Sequence, residues 1–429
     1  MGRFELRDTA PVAERAILVG VDRGRGDWTC EDSMAELERL AQTDGAVVVH
    51  RMHQRLDAPV PKTFIGSGKV HELCDCVSRF EADVVIFDDE LTPSQQANLE
   101  RAVGEPTKII DRTALILDIF GVHARTHEGR LQVQLAQLQY LLPRLRGMWS
   151  HLVGEQTRGG IGSRFGQGES QLEVDRRMVR SRISTLRGEL RRLQGRRDVQ
   201  SKARLGSGVF RVALVGYTNA GKSSLLNRLC DADVYARDEL FATLDPTTRS
   251  LALPEGRKVT VTDTVGFIQK LPTTLVESFK STLAEACCAD LLLLVVDASD
   301  PHERPQQDAV VSILHEIGAQ DVPRVVVYNK CDLLSSEDRD GLAMLAPDAE
   351  LVSAIDGTGI ASLLSRIARE ASRGDIVLSA LLPYAEGALI HRVRESSQVM
   401  SERYQEDGLL LTAKVDARLA RALERYRLG

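Results

Sequence analysis

The chain has 429 residues, of which 43% are hydrophobic and 27% are charged, and its formal net charge is −6. This composition is typical of a globular protein, and the length predicts about two to four domains. No apolar stretch reaches about 18 residues, which excludes a membrane-spanning helix. Seven scattered cysteines and the absence of a signal-peptide pattern predict a cytoplasmic protein, which could also associate peripherally with a membrane.

The N-terminal part, residues 1–120, alternates short β-branched runs with amphipathic helical patterns. Strands are predicted at 16–21, 46–50, 83–87 and 108–110, and helices at 32–41 and 68–80. Such alternation predicts a small α/β domain built on a parallel sheet.

Two features of this part have alternative interpretations. Residues 64–69, Phe-Ile-Gly-Ser-Gly-Lys, form a glycine-rich turn that enters a predicted helix. The turn could bind an anion such as a nucleotide phosphate or an RNA backbone, or it could be a tight turn with a surface lysine. Asp88 and Asp89 end a predicted strand, where a solvated strand end is favoured over a cation site.

Residues 121–207 are predicted to form a helical arm. Apolar residues recur at helical spacing over 128–149 and again over 169–204, which predicts two helices in an antiparallel hairpin. The intervening residues 159–168 are rich in glycine and predict a flexible, basic loop at the tip.

The second helical segment is strongly basic. Residues 169–204 contain ten Arg and one Lys against three Glu and two Asp, a net charge of +6. Such an excess favours contact with the phosphates of folded RNA, and the alternative is a solvated arm packed on an acidic partner or on its own neighbouring domain. The predicted RNA contacts are Arg158, Arg164, Arg176, Arg177 and Arg180.

Residues 216–223 have the pattern G-x-x-x-x-G-K-S, between an apolar run at 209–215 and a helical pattern. This context predicts a phosphate-binding loop, in which backbone N–H groups and a helix N-terminus hold phosphate oxygens. Lys222 is predicted to reach the β- and γ-phosphates, and the hydroxyl of Ser223 to bind Mg²⁺.

Two later segments are predicted to sense the γ-phosphate. Thr243 is placed to complete the coordination of Mg²⁺, although spacing alone does not separate it from Thr247 and Thr248. In Asp263-Thr264-Val265-Gly266, the carboxylate would hold Mg²⁺ through water and the Gly266 N–H would face the γ-phosphate. The next residue is Phe267, which cannot orient an attacking water, so hydrolysis is expected to be slow without a partner.

The base is predicted from Asn329-Lys330-Cys331-Asp332. A carboxylate at the edge of the base accepts hydrogen bonds from guanine N1–H and N2–H₂, whereas adenine would leave it unpaired, so Asp332 favours GTP over ATP. Ser353 and Ala354 are expected to close the base pocket.

These motifs lie on alternating strand and helix patterns from 208 to 374. Residues 375–429 are predicted to form a strand, a helix, further strands and a final helix. The predicted fold class is therefore α/β: a P-loop GTPase domain with a parallel sheet covered by helices on both faces. A small α/β domain and a helical hairpin arm precede it, and a small α+β domain follows it.

The chain resembles the HflX family of ribosome-associated GTPases over nearly its whole length. The similarity is carried by the turn at 64–69, the arm loop at 159–173, Tyr217 to Ala220, Phe241 to Thr248 and Asp263 to Phe267. The family usually has G-x-R-G-P-G-E in the arm loop, whereas this chain is one residue longer there and lacks the proline.

The resemblance implies that Mg²⁺ is held directly by Ser223 and Thr243. The predicted catalytic residues are Lys222, Thr243 and Gly266. It implies a protein that binds GTP and GDP, docks on the large ribosomal subunit and its rRNA, and separates stalled or idle ribosomes. The absence of a long heptad pattern beyond the hairpin predicts a monomer. An assembly or RNA-remodelling GTPase and a GTP-gated regulator of a protein partner are the alternatives. The predicted nucleotide-binding residues are Gly216, Tyr217, Thr218, Asn219, Ala220, Gly221, Lys222, Ser223, Phe241, Ala242, Thr243, Leu244, Asp245, Asp263, Thr264, Val265, Gly266, Asn329, Lys330, Cys331, Asp332, Ser353, Ala354 and Ile355.

Overall fold

The computed structural model describes residues 13–24, 28–155, 165–205, 209–230, 240–241, 243–270, 272, 275 and 285–428, with side chains over the same ranges except 146–155, 165–172 and 196–205. Contacts between Cα atoms divide the chain into two compact units. The first consists of the described residues of Met1–Val122 and Val133–Thr185, and the second of those of His123–Gln132 and Leu186–Gly429. None of the described helices is long and apolar enough to cross a membrane.

A four-stranded parallel sheet forms the centre of the first unit, with the strand order β2-β1-β3-β4. This confirms the predicted α/β layer and adds two helices, α3 and α4, that the sequence analysis did not identify. The elements are β1 (Arg15–Asp22), α1 (Cys30–Thr43), β2 (Val47–Arg55), α2 (Ser67–Phe80), β3 (Val84–Phe87), α3 (Pro93–Val103), β4 (Lys108–Asp111) and α4 (Arg112–His123).

The helices of this unit begin where their sequences provide a cap. The side chain of Thr29 caps α1 in a reciprocal pair with Asp32, and Thr92 with Gln95 does the same for α3. Each capping box satisfies two N–H groups that a helix start otherwise leaves unpaired. The two central strands, β1 and β3, are mostly apolar because both faces of the sheet are covered there, and β3 is buried at all four residues.

A buried charge cluster lies at the carboxyl end of β3. Arg112 forms ion pairs with Asp88 at 2.6 Å and with Glu36 at 2.7 Å, and all three side chains are at most 4% exposed. The interpretation of Asp88 as part of a solvated strand end is therefore wrong. The Asp88 side chain is buried because Arg112, at the first residue of α4, neutralises it. Burial by itself would lower the pKa of the Arg112 guanidinium, but the two carboxylates together outweigh burial and raise that pKa above its usual range.

Two long helices follow, α5 (His127–Glu155) and α6 (Phe165–Leu205). Helix α6 begins at Phe165, so the predicted loop at 159–168 is wrong at its C-terminal end, where four residues are already helical. Within the first unit, Arg144 of α5 lies 3.2 Å from Asp111 and its guanidinium stacks on the ring of Tyr140. The hydroxyl of Tyr140 also donates to Asp111, at 2.9 Å. These contacts fasten α5 to the end of β4.

A six-stranded sheet lies in the second unit, with the strand order β10-β9-β8-β5-β7-β6. All pairs are parallel except β6 with β7, which is antiparallel. Its elements are β5 (Phe210–Gly216), α7 (Lys222–Cys230), β6 (Thr247–Ala252), β7 (Lys258–Asp263), β8 (Leu291–Asp297), α8 (Glu303–Glu316), β9 (Arg324–Asn329), α9 (Ser336–Leu345), β10 (Glu350–Leu351) and α10 (Ile360–Ala371).

The predicted strands of this sheet are confirmed, and their near-continuous apolar runs form its core. Strand β8 is buried at six of its seven residues. The sequence analysis did not identify β6, in which three successive residues, Arg249 among them, are solvent-exposed. Among the described strands, β6 lies at the edge of the sheet and pairs only with β7.

A three-stranded antiparallel sheet closes the second unit, with the strand order β11-β13-β12. It confirms the predicted α+β pattern at the C-terminus. Arg257, in the turn before β7, is buried and forms an ion pair with Asp375. The elements are β11 (Ile376–Leu382), α11 (Gly387–Ser396), β12 (Gln398–Gln405), β13 (Gly408–Val415) and α12 (Ala417–Leu423).

Candidate functional site

The predicted phosphate loop connects the end of β5 to the start of α7. A Cβ on Gly216 would lie 2.2 Å from the carbonyl oxygen of Val295, and one on Gly221 would lie 2.2 Å from Nδ2 of Asn329. Only glycine fits at either position, because a side chain would overlap the neighbouring strand or the asparagine. Asn219 lies between them at a φ of 62°. The loop therefore has the tight backbone that a phosphate nest requires.

Lys222 is buried at the first residue of α7. Its Nζ donates to the carbonyl oxygens of Gly216 at 3.1 Å and Tyr217 at 2.7 Å. Burial lowers the pKa of Lys222 to about 8, against the opposing effect of Asp263. The ammonium group is thus poorly solvated and held at the mouth of the loop, where an anion would stabilise its charge.

We expect the free energy of unfolding of the nucleotide-free and Mg²⁺-free protein to increase as the pH rises from 8 to 10, by up to about 1.4 kcal/mol per pH unit. The folded-state pKa of Lys222 is below its ordinary value of 10.5, so in this range the unfolded chain binds more protons than the folded one. Urea unfolding of the unmodified protein and of Lys222→Met at several pH values measures the contribution of Lys222 to this pH dependence. Equal pH profiles for the two proteins would contradict the prediction.

Three predicted Mg²⁺-binding residues meet beside the loop. Oγ of Ser223 lies 2.8 Å from Oγ1 of Thr243 and 2.6 Å from Oδ2 of Asp263. The other carboxylate oxygen of Asp263, Oδ1, is buried and has no hydrogen-bond partner in the described part of the chain. Burial raises the pKa of Asp263. Two hydroxyls and a carboxylate form the hard oxygen donor set that Mg²⁺ prefers, so these residues fit that ion.

The structure distinguishes Thr243 from Thr247 and Thr248, the two other threonines considered for the Mg²⁺ site. Thr247 and Thr248 belong to β6 and pair with Asp263 and Thr262 across the antiparallel ladder. The hydroxyl of Thr248 is within 2.9 Å of that of Thr262. Strand pairing therefore directs both side chains elsewhere, and the Thr243 hydroxyl is the one that contacts Ser223.

The segment after β7 lies across the phosphate loop. Phe267 N–H donates to the Gly216 carbonyl at 3.1 Å, and Thr218 N–H donates to the Phe267 carbonyl at 2.7 Å. A Cβ on Gly266 would come within 2.8 Å of the Cα of Thr218, so the approach again requires glycine. Thr264 donates its hydroxyl to Leu214, and Val265 is buried. The ring of Phe267 is fully buried and has no polar atom to offer a water molecule.

The predicted base-recognition residues surround Asn329. Its Nδ2 donates to the carbonyl of Ala220 at 3.0 Å, and its Oδ1 accepts from the N–H of Ala354 at 3.1 Å. One side chain thus joins the phosphate loop to the segment after β10. Oδ1 of Asp332 is buried without a hydrogen-bond partner in the described part of the chain. An unpaired buried carboxylate oxygen is costly, and donors on a bound base would relieve that cost.

The two segments predicted to bind the base are 329–332 and 353–355, and most of their remaining residues make contacts within the protein. Lys330 adopts a left-handed backbone with φ 63°, and its Nζ lies 2.6 Å from Asp297. Cys331 is fully buried, and burial raises the pKa of its thiol, which makes it an inert core residue. Ser353 accepts from the N–H groups of Ile355 and Asp356, while the Ile355 side chain is 78% exposed.

The segment 241–245 is held at both ends. Phe241 N–H donates to Oγ1 of Thr218 at 2.9 Å, and Leu244 is buried. Asp245 was grouped with the nucleotide-binding residues, but its carboxylate bonds to Arg125 and Thr126 before helix α5. The sequence analysis missed Thr126, although a threonine before a helical run is an N-cap signal. Ala242 lies outside the described residues.

Of the predicted RNA contacts, Arg177 and Arg180 are exposed on helix α6 and Arg176 is half-buried. Arg158 and Arg164 lie outside the described residues. The other candidate anion site, the turn at 64–69, has its groups engaged: Gly66 N–H donates to Gln54 at 2.8 Å and Lys69 pairs with Glu72 at 2.7 Å. This favours the interpretation as a tight turn with a surface lysine.

Three family models match successive parts of the chain. "GTP-binding GTPase N-terminal" matches residues 31–121, "GTP-binding GTPase Middle Region" matches 123–204, and "50S ribosome-binding GTPase" matches 211–330. A solved structure, a GTP-binding protein from Sulfolobus solfataricus in complex with GDP, is 23% identical with a TM-score of 0.44. That match covers 84% of this chain and 99% of the archaeal one.

Curated relatives match over nearly the full length. GTPase HflX of Caldanaerobacter subterraneus subsp. tengcongensis is 44% identical over 425 residues, covering 98% of this chain and 95% of the relative. GTPase HflX of Escherichia coli K12 is 42% identical over 406 residues, covering 94% and 93%. With this identity over almost the whole sequence, the chain belongs to the HflX family of GTPases.

Proposed function

We propose that the protein hydrolyses GTP to GDP and phosphate in a Mg²⁺-dependent reaction. The observation that supports this most is the meeting of Ser223, Thr243 and Asp263, with one buried carboxylate oxygen left unpaired. Bound Mg²⁺ would neutralise charge that develops on the phosphates. Lys222, released from the Gly216 and Tyr217 carbonyls, would donate to the same phosphates.

Guanine is the base that the site favours. Asp332 offers the unpaired carboxylate oxygen, and Asn329 fixes the distance between the base segment and the phosphate loop through its contact with Ala220. The predicted nucleotide contacts at 216–223, 241–244, 263–266, 329–332 and 353–355 remain part of this proposal. Asp245 is not among these contacts, because its carboxylate bonds to Arg125 and Thr126.

Hydrolysis should be slow in the isolated protein. The side chain of Phe267 is buried against the loop and offers no hydrogen bond to a water nucleophile. Enzymes of this class gain rate when a residue in the protein or in a partner orients that water and balances the phosphate charge. A partner that stimulates turnover is therefore part of the proposed mechanism.

The proposed partner is the large ribosomal subunit, which the protein would bind through rRNA in order to separate stalled or idle ribosomes. Support comes from the family model at 211–330 and from exposed arginines on α6, namely Arg177, Arg180, Arg182, Arg187, Arg191 and Arg192. Arginine without stacking aromatics suits recognition of phosphates on folded RNA. We also propose four functional parts, 1–120, 121–207, 208–374 and 375–429.

GTP turnover with and without purified large subunits, whole ribosomes or bare structured RNA tests this function. We expect stimulation by large subunits that falls steeply with salt, because each neutralised phosphate contributes to the salt dependence. Changing Arg177 and Arg180 together to Gln should reduce the salt slope by about two and weaken binding, while unstimulated turnover stays unchanged.

The matched control changes Arg369 and Arg373 together to Gln, which removes the same charge from two exposed positions at the end of α10 and just after it. Stimulation by immature subunits or free RNA alone would indicate an assembly or remodelling GTPase. Absence of stimulation by every ribosomal particle would overturn the ribosome proposal and direct attention to a protein partner.

A further inference from the structure

The carboxylate of Asp245 is held by three donors at the start of helix α5. Its Oδ2 accepts from the backbone N–H groups of Arg125 at 3.0 Å and Thr126 at 2.8 Å. Its Oδ1 accepts from the hydroxyl of Thr126. Residues 123–132 belong to the same compact unit as Asp245. Both carboxylate oxygens are therefore used in contacts that lie away from the phosphate loop.

Thr126 is also the N-cap of α5. Its Oγ1 accepts from the N–H of Gly129 at 2.9 Å, and its carbonyl accepts from the N–H of Arg130 at 3.1 Å. One hydroxyl thus caps the helix and donates to Asp245 at the same time. Donation to a carboxylate makes that oxygen a better acceptor for the cap, so the two bonds reinforce each other.

Gly129 leaves the space that this arrangement needs. A Cβ at this position would lie 2.5 Å from Oδ1 of Asp245 and 3.1 Å from Oγ1 of Thr126. The residue is inside a helix, where alanine is otherwise preferred by about 1 kcal/mol. The glycine is thus explained by the approach of Asp245 and not by the helix itself.

Thr243 lies only two residues before Asp245. Two residues span at most about 7 Å, so the position of one side chain restricts the other. At the opposite end of the segment, Phe241 N–H is bound to Thr218 of the phosphate loop. The segment 241–245 therefore connects the phosphate loop to the first turn of α5, with the Mg²⁺-binding candidate Thr243 between the two attachments.

We infer that Asp245 is a positioning residue: its bonds to Arg125 and Thr126 hold Thr243 beside Ser223 and couple the nucleotide state to the capping of helix α5. This inference rests on the proposed binding of GTP with Mg²⁺. When GTP holds Thr243, Asp245 stays on Thr126 and the first turn of α5 is ordered. With GDP there is no γ-phosphate for Thr243 to sense together with Mg²⁺, so Thr243 is held less firmly. The contact between Asp245 and Thr126 then weakens as well, because coupling between two sites is reciprocal.

The test uses Gly129→Ala in the full-length protein, with Gly188→Ala as control. Gly188 is also inside a long helix, and a Cβ there would meet nothing within 4 Å. We measure the affinities for GDP and for a non-hydrolysable GTP analogue, with Mg²⁺. We expect Gly129→Ala to lower the analogue-to-GDP affinity ratio by about 10-fold, a typical size for such coupling, with GDP affinity unchanged.

Hydrogen exchange provides a readout that does not depend on activity. In the unmodified protein, the amides of Arg125, Thr126 and Gly129 should exchange more slowly with the analogue than with GDP. In Gly129→Ala this difference should disappear, while Gly188→Ala should retain it. Asp245→Asn, which keeps the side-chain size, should behave like Gly129→Ala, and the double variant should lose no more than either single one.

An unchanged affinity ratio together with unchanged exchange in Gly129→Ala and Asp245→Asn would overturn the inference. Additive losses in the double variant would also overturn it, because they would mean that the two residues act independently. If the unmodified protein does not bind the GTP analogue in the presence of Mg²⁺, the proposed function itself fails, and this outcome is distinct from the other two.

Discussion

Lys222→Met is expected to weaken GTP binding by about 10²–10³-fold, because it removes a charge-assisted donor to two phosphates. The lysine is buried with its Nζ on two carbonyls of the phosphate loop, so its charge is poorly compensated until an anion arrives. The same reasoning predicts that the nucleotide-free protein will not be destabilised, since methionine fills the site without a buried charge.

Equilibrium binding of a fluorescent GTP analogue and urea unfolding measure the two effects. Lys258→Met is the control, since Lys258 lies in the same unit, at the first residue of β7, but is half-exposed and pairs with Glu395. A loss of affinity accompanied by an equal loss of stability would indicate a folding defect and would contradict the assignment of Lys222 to the phosphates.

Asp332→Asn is expected to change the preferred base from guanine to xanthine. The buried Oδ1 of Asp332 is unpaired, and two charge-assisted bonds to guanine N1–H and N2–H₂ are together worth about 3–6 kcal/mol. An asparagine amide would instead donate to the 2-oxo group of xanthine. GTP affinity should fall by about 10²–10⁴-fold, whereas XTP affinity should rise.

Competition of GTP, XTP and ATP for the same site measures this change. Asp340→Asn removes the same charge from an exposed position on α9, close in sequence, and should leave all three affinities unaltered. Retained preference for GTP in Asp332→Asn would show that another group reads the base.

The sequence alone predicted most of the fold because strong local signals agree with the tertiary structure. Buried strands such as β8 are apolar over their whole length, and capping residues such as Thr29 stand where helices begin. The sequence analysis missed elements whose apolar residues do not follow the period of a half-buried strand or helix. Strand β6 is mostly exposed, and α4 is apolar on nearly all sides and lacks the amphipathic period of a surface helix.

The phosphate loop was predictable because phosphate binding depends on residues that are close together in the sequence. Gly216, Gly221 and Lys222 are needed at fixed spacing in one turn, so the residues themselves carry the information. Guanine was predicted in the same way from Asp332, since a carboxylate pairs with guanine and not with adenine.

Tertiary structure alone decided which groups meet across the chain. The choice of Thr243 over Thr247 and Thr248 depends on the antiparallel pairing of β6 with β7. The contact between Asp245 and Thr126 joins residues 119 positions apart, and Asp88 is buried by an arginine 24 positions away. Local sequence determines backbone geometry and the type of chemistry, whereas partners distant in the chain become neighbours only when the sheets and helices pack.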